Sequence, residues 1–432
     1  MQIKELFQST FAKNVAMISA STAFAQLLSA LFSPVITRIY SPEEYGVLTL
    51  YSSVLGLTAI IATLGYEWGI PIADNDEKAV NIMFLCFFVL SIYVFILFII
   101  FYFFKAFILS FLDAKVLFGY WYFIPIGILL AGAYQIFLQW AYRNKDFISI
   151  TKTNISQSLT GNGAKIGLGL LGIGPLGLIL GQILQQSAGI GTLSRPIIRN
   201  RKNLLENLNK REMLWCVKRY KNFPVFSAPS QLLNTAGIQL PVIFISSIYG
   251  SQALGLYGLA NSVINIPMVL LGRSVTDVLY AEAASVGKSN PLRIKYLSNK
   301  LLKNMLLIGL VPLLILLFFG PFLFAFVFGP KWYEAGLYAR VLAFLVFFRF
   351  IFTPISRIFF VLERQKQAFM LDLFRVVLVF IVFRISAYFD FSSYWAVGLY
   401  SIAMSLVYLT TYLLAQRMLD EEIKKQQSVS AA

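Results

Sequence analysis

The chain has 432 residues, 58% of them hydrophobic and only 13% charged, with a formal net charge of +16. Soluble domains carry about a quarter charged residues, so this composition excludes an ordinary globular protein and defines an integral membrane one. The absence of histidine, with only two cysteines (Cys86 and Cys216), excludes Ser-His-Asp catalysis, histidine-ligated zinc and a disulfide framework; neither a metal nor a cofactor is expected. Lys4 and Lys13 precede an apolar run containing Ala23-Phe24-Ala25, a small-residue pattern of the signal-peptidase kind, but the apolar character continues to Ile36. That length crosses a ~30 Å hydrocarbon core, so the run is read as an uncleaved first helix.

Twelve such spans are predicted: Val15–Ile36, Val47–Tyr66, Asn81–Phe104, Leu117–Leu138, Ile155–Ile173, Leu176–Leu193, Val225–Tyr249, Gly255–Leu279, Leu301–Phe319, Leu337–Phe360, Phe369–Ser386 and Tyr394–Ala415. Backbone in hydrocarbon is satisfied only in helices or closed barrels, and apolar runs this long and continuous are helices. The predicted fold is therefore all-α and membrane-embedded, with about twelve transmembrane helices in two pseudo-symmetric six-helix bundles around a central cavity. Residues 1–194 form the first bundle and 225–432 the second. Between them lies 195–224, with nine basic residues against two acidic ones, read as a cytoplasmic linker.

Orientation follows from the basic residues. Twenty-five of the 36 Lys and Arg fall on the side of the N-terminus and linker, and six (Arg38, Lys105, Lys115, Lys331, Arg340 and Arg384) fall on the other. Basic residues remain cytoplasmic, which places both termini and the linker inside the cell and makes the +16 a consequence of topology. No nucleic-acid partner is needed to explain it.

The halves repeat one another in the same orientation. Gln26-Leu27-Leu28-Ser29 recurs as Gln231-Leu232-Leu233-Asn234, each followed by a proline (Pro34, Pro241). Gly46-Val47-Leu48 matches Gly255-Leu256-Tyr257, and Arg143-Asn144-Lys145 matches Arg364-Gln365-Lys366. A parallel repeat has its pseudo-twofold along the membrane normal and its natural substrate site between the halves. Gln26, Gln231 and Asn234 are the polar members of this repeat and candidate cavity-lining groups. The Gly-rich stretch Gly161–Gly181 is read as close helix packing and hinge.

Five basic residues fall at membrane depth: Lys165, Arg273, Arg349, Arg357 and Arg375. Charge there is costly and marks a partner or a cavity. Arg273 with Asp277 (i, i+4) and Arg375 with Asp372 (i, i+3) can be neutralised along one helix face, while Arg357 near a span end can snorkel to the headgroups. Lys165 and Arg349 have no acidic residue within a turn and are read as cavity-facing; Arg38 is read as a lipid anchor or a guard of the cavity mouth. Among carboxylates, Glu67, Asp277 and Asp372 are the candidates for binding a coupling proton or cation, with an interfacial role the alternative for Glu67. A phosphate loop of the GxxxxGK type is absent, which excludes nucleotide hydrolysis of that kind.

Several stretches, in order along the chain, carry a resemblance: SPVITRIYSPEEYGVLTLY (33–51), LGYEWGIPIADNDEKAVN (64–81), QWAYRNKDF (139–147), RYKNFPVFSAPSQLLNTAGIQLPVIFISSIYG (219–250), FGPKWYEAGLYARVL (328–342) and PISRIFFVLERQK (354–366). Together they resemble bacterial polysaccharide-synthesis flippases of the multidrug/oligosaccharidyl-lipid/polysaccharide (MOP) exporter superfamily. The resemblance implies twelve helices in two bundles, located in the bacterial cytoplasmic (inner) membrane. It implies that an undecaprenyl-pyrophosphate-linked oligosaccharide moves from the inner to the outer leaflet by alternating access coupled to a proton or sodium gradient, without enzymatic activity. Membrane lipids, a polysaccharide polymerase and chain-length proteins are the implied partners. Basic cavity residues would hold the anionic headgroup; Arg273, Arg349, Lys165, Arg375 and Arg38 are the candidates. Asn261 and Ser262 stand where members more often carry a second basic residue in the eighth span. A multidrug exporter of the same fold is the first alternative, disfavoured by basic residues outnumbering acidic ones at depth. A membrane polymerase or ligase is the second, disfavoured by short outer loops.

Overall fold

A computed structural model describes residues 10–111, 115–199, 201–206, 208–268, 290–362 and 364–431. Among the described residues the chain is helical with no strand. Seven helical stretches there are long and apolar enough to cross a membrane. The other predicted spans are helical over most of their described residues. Contacts divide the chain into two units, Met1–Leu254 and Gly255–Ala432.

In the first unit α1 (Thr10–Ile39) is followed by α2 (Pro42–Ala59). The break is encoded by Ser41: its hydroxyl accepts from the Glu44 amide, the Glu44 carboxylate accepts from the Ser41 amide, and Pro42 fills the first turn. The second span was predicted to run to Tyr66, but α2 stops at Ala59. Leu64 and Gly65 have positive φ, which an α-helix cannot accommodate, and Tyr66–Gly69 forms a 3₁₀ turn. Helices α3 (Asp76–Phe111), α4 (Phe123–Arg143), α5 (Phe147–Leu170) and α6 (Pro175–Ser187) complete the membrane part. Arg143 anchors the end of α4: its guanidinium donates to the Ile70 and Ala73 carbonyls and pairs with Asp76 at 2.8 Å.

The linker is folded rather than loose. It forms α7 (Ile190–Arg199), α8 (Arg201–Glu206) and α9 (Lys210–Arg219), and α9 packs on the start of α3. Asn81 accepts from the Asn209 amide at 3.0 Å, Lys78 sits 4.2 Å over the Trp215 ring, and Cys216 is buried.

The seventh predicted span and the first ten residues of the eighth fall in α10 (Ala228–Ile264), which breaks at Gly250, where φ is 80° and ψ is −179°; residues 269–279 of the eighth lie outside the described residues. In the second unit follow α11 (Pro291–Phe328), α12 (Tyr333–Phe352), α13 (Ile358–Val361), α14 (Gln365–Tyr388) and α15 (Ser393–Ala431). α11 and α12 cross at Gly320 and Gly336; a Cβ on Gly336 would stand 2.4 Å from the Pro321 Cα, so only glycine lets the backbones approach this closely.

What identifies the surroundings is the surface. Phe103 on α3 is 71% exposed and Phe326 on α11 is 74% exposed, within long faces of aromatic and aliphatic side chains. Water does not tolerate an apolar surface of that extent, whereas lipid does. The protein is therefore a multi-pass membrane protein.

Candidate functional site

The chemistry at membrane depth differs between the units. In the first, polar side chains are spent on packing. Along α5, Asn154, Ser158 and Asn162 recur every four residues and meet α1: Asn154 donates to Ser21 and Thr22, Asn162 donates to Ser29, and the Ser29 and Ser158 hydroxyls lie 3.0 Å apart. In a membrane such contacts are worth about 0.6 kcal/mol each and hold helices together where the hydrophobic effect cannot.

Lys165 belongs to this packing. It is 7% exposed, and its ammonium donates to Gln182 Oε1 at 2.9 Å and Gln185 Oε1 at 3.0 Å on α6. The predicted cavity-facing placement of Lys165 is thus corrected: lacking a side chain, Gly181 brings α6 against the lysine stem, and two amide oxygens occupy the ammonium. The glycine stretch packs as predicted at Gly161, Gly169, Gly177 and Gly181, whereas Gly163 and Gly167 face open space.

Of the other candidates in the first unit, Gln26, Arg38 and Asn234 are exposed and Gln231 is half-buried. Glu67 lies in the 3₁₀ turn beyond α2, accepts a hydrogen bond from the Thr63 hydroxyl, and has its carboxyl pushed up by burial.

The second unit holds a different constellation. Arg349, in the last turn of α12, donates from Nη1 to Asn265 Oδ1 at 3.4 Å, and Asn265 donates in turn to the Asn261 side chain at 2.8 Å. Among the described residues Arg349 makes no ion pair. Tyr257 on α10 and Tyr400 on α15 are buried, share a side-chain hydrogen bond, and lie within the field of the Arg349 guanidinium. Arg375 on α14 adds to the positive field at Tyr400; it stands 5.2 Å from the Tyr408 ring and pairs with Asp372 at 3.1 Å. Its side chain is 17% exposed, and its Nε has no partner among the described residues. The pairing that the i, i+3 spacing allowed is therefore made. Arg273 and Asp277 lie outside the described residues, and Arg357 is exposed.

The site thus gathers Arg349 and Arg375 with Asn261, Asn265 and three tyrosines at membrane depth. Guanidinium groups bind phosphate oxygens in a bidentate fork and stay charged at any physiological pH, and hydroxyl and amide groups add donors. The sequence singled out the arginines and Asn261; Asn265, Tyr257, Tyr400 and Tyr408 passed unnoticed among the many tyrosines and apolar neighbours. A polar residue four positions after Asn261 was the available signal.

Comparison with known proteins is consistent with these features. A solved structure described as an inward-facing conformation of a multidrug resistance MATE family transporter of the MOP superfamily matches with a TM-score of 0.73 at 15% identity, covering 95% of this chain and 99% of the other. A structure of the lipid II flippase MurJ in an inward closed conformation matches with a TM-score of 0.66 at 15% identity, covering 93% and 91%. The chain thus has the fold of MOP-superfamily transporters. The family described as "Polysaccharide biosynthesis protein" matches residues 35–336, and the chain belongs to that family. The teichuronic acid biosynthesis protein TuaB of Bacillus subtilis (strain 168) is 28% identical over 198 residues, 46% of this chain and 40% of that protein's length.

Proposed function

We propose that the protein moves an undecaprenyl-pyrophosphate-linked oligosaccharide from the cytoplasmic to the outer leaflet of the bacterial inner membrane, for assembly of a surface polysaccharide. The observation that carries the proposal is a guanidinium at membrane depth, Arg349, whose partner among the described residues is a neutral amide. A bare positive charge is expensive there and is retained where an anion visits it. The family is one of polysaccharide biosynthesis, one neighbour in fold is a lipid II flippase, and a relative is a teichuronic acid biosynthesis protein. These supports point the same way.

In this proposal Arg349 and Arg375 hold the pyrophosphate while the tyrosines line the route of the sugar. Both termini are cytoplasmic. Outward movement of roughly two negative charges across an inside-negative membrane is downhill by about 4–5 kcal/mol per 100 mV. Alternating access coupled to a proton or sodium gradient supplies the remainder, with Glu67 and Asp372 the carboxylates available for it among the described residues, and Asp277 beyond them. A polymerase and chain-length proteins receive the product, and no catalytic step is required of this chain.

Reconstitution in vesicles with a fluorescent lipid-linked oligosaccharide tests this. Appearance of the label in the opposite leaflet, accelerated by an outward-directed field for anions, is expected. Transfer no faster than in protein-free vesicles would overturn the proposal. Efflux of cationic drugs from the same vesicles would instead favour a multidrug exporter.

A further inference from the structure

A cavity of about 430 Å³ opens in the second unit between the segment after α10, the middle of α11 and the end of α12. Its walls are apolar throughout, with Pro267, Met268, Val311, Pro312, Val346 and Phe347 among them. Pro312 has no N–H to give to α11, and Gly309 one turn earlier lets Phe347 and Phe350 pack against its backbone, 3.1 and 3.2 Å from where a Cβ would stand. Val311 is 60% exposed, so the cavity opens on the surface of the unit.

Its position relative to the cation site is what gives it meaning. On α12, Arg349 lies between Phe347 and Phe350, both in the cavity wall; after α10, Asn265 lies between Ile264 and Pro267, also in the wall. The hydrogen-bonded pair Arg349–Asn265 therefore ties together two of the three elements that wall the pocket, next in sequence to wall residues on each. A volume of this size with apolar walls fits a hydrocarbon chain.

We infer that this cavity seats the isoprenoid segment next to the diphosphate of the lipid-linked substrate, so that one site grips head and first tail units together. The choice of occupant rests on the flippase reading and on charge: the border is cationic and the tail in question is attached to an anion.

The test uses the full-length protein in phosphatidylglycerol vesicles with photoreactive benzoylphenylalanine at Val311 and undecaprenyl pyrophosphate as probe. Crosslinking to the isoprenoid is expected to survive a large excess of dioleoylphosphatidylglycerol and to fall about tenfold when the cavity is filled by V346W or, separately, by L316W. Circular dichroism melting of both variants identifies any that fails to fold. Crosslinks that phospholipid displaces freely, or that neither folded filling variant reduces, would overturn the inference and assign the cavity to ordinary lipid. Flipping by the unsubstituted protein is scored in parallel: its absence counts against the flippase reading, whereas flipping without isoprenoid crosslinking counts against the tail seat alone.

Discussion

Arg349 and Asn265, 84 residues apart in the chain, meet across 3.4 Å, guanidinium donor to amide oxygen. Among the described residues the partner is neutral, and no carboxylate there offsets the positive charge. Asn265→Asp would place a carboxylate against it and compete with an anionic substrate. We expect this variant to raise the apparent KM for flipping by about tenfold or more, while Asn265→Leu, which leaves the charge free, changes it by less than about threefold. Initial rates of leaflet transfer against substrate concentration measure both; equal effects would show that the amide, not the charge balance, matters.

Lys165 is expected to behave differently because its ammonium is already occupied by Gln182 and Gln185. Lys165→Met orphans two half-buried amide oxygens and should cost about 1 kcal/mol or more, seen as a lower unfolding temperature in detergent, with little change in substrate affinity. The triple change K165M/Q182L/Q185L removes the stranded partners and should recover most of that loss. A triple variant less stable than the single one contradicts this view of the cluster.

Glu67 carries a pH signature. Burial raises its carboxyl in the folded state above its unfolded value, so the folded protein holds the proton more tightly. Stability from this residue is greatest at low pH, falls as pH rises through the folded value, and stays low above it. Glu67→Gln keeps an oxygen for the Thr63 hydroxyl and removes the charge. We expect E67Q to melt higher than the wild type at neutral pH, with the gap closing on acidification towards the ordinary carboxylate range. A gap that is constant with pH would show that burial of the charge is not its cause.

Glycine positions divide sharply. Gly336→Ala drives a Cβ into the Pro321 backbone and should destabilise by about 1–3 kcal/mol or prevent folding. Gly163→Ala meets nothing within 4 Å and should be neutral to slightly stabilising. Yield and melting temperature of the two purified variants provide the comparison.

The membrane class and the run of helices were legible because long apolar runs are local signals. Asp372 and Arg375 were legible for the same reason, three residues apart on one helix. Lys165 was not: its partners lie 17 and 20 residues on, across a helix contact that depends on Gly181. Lack of an acidic residue within a turn left open whether amides on the next helix would take its charge. Tyr257 and Tyr400 are more distant still, and nothing local separates them from lipid-facing tyrosines. The end of α2 was misjudged because Leu64 and Gly65 continue the apolar pattern while their backbone leaves the helix.

Binding of a soluble short-chain prenyl diphosphate, farnesyl pyrophosphate, to the detergent-purified protein tests the cationic site most directly. The account predicts that Arg349→Gln weakens binding by about tenfold or more and that Arg349→Lys recovers only part of it, since an ammonium cannot make the bidentate fork. Unchanged affinity in a folded R349Q variant would contradict the claim that Arg349 holds the diphosphate.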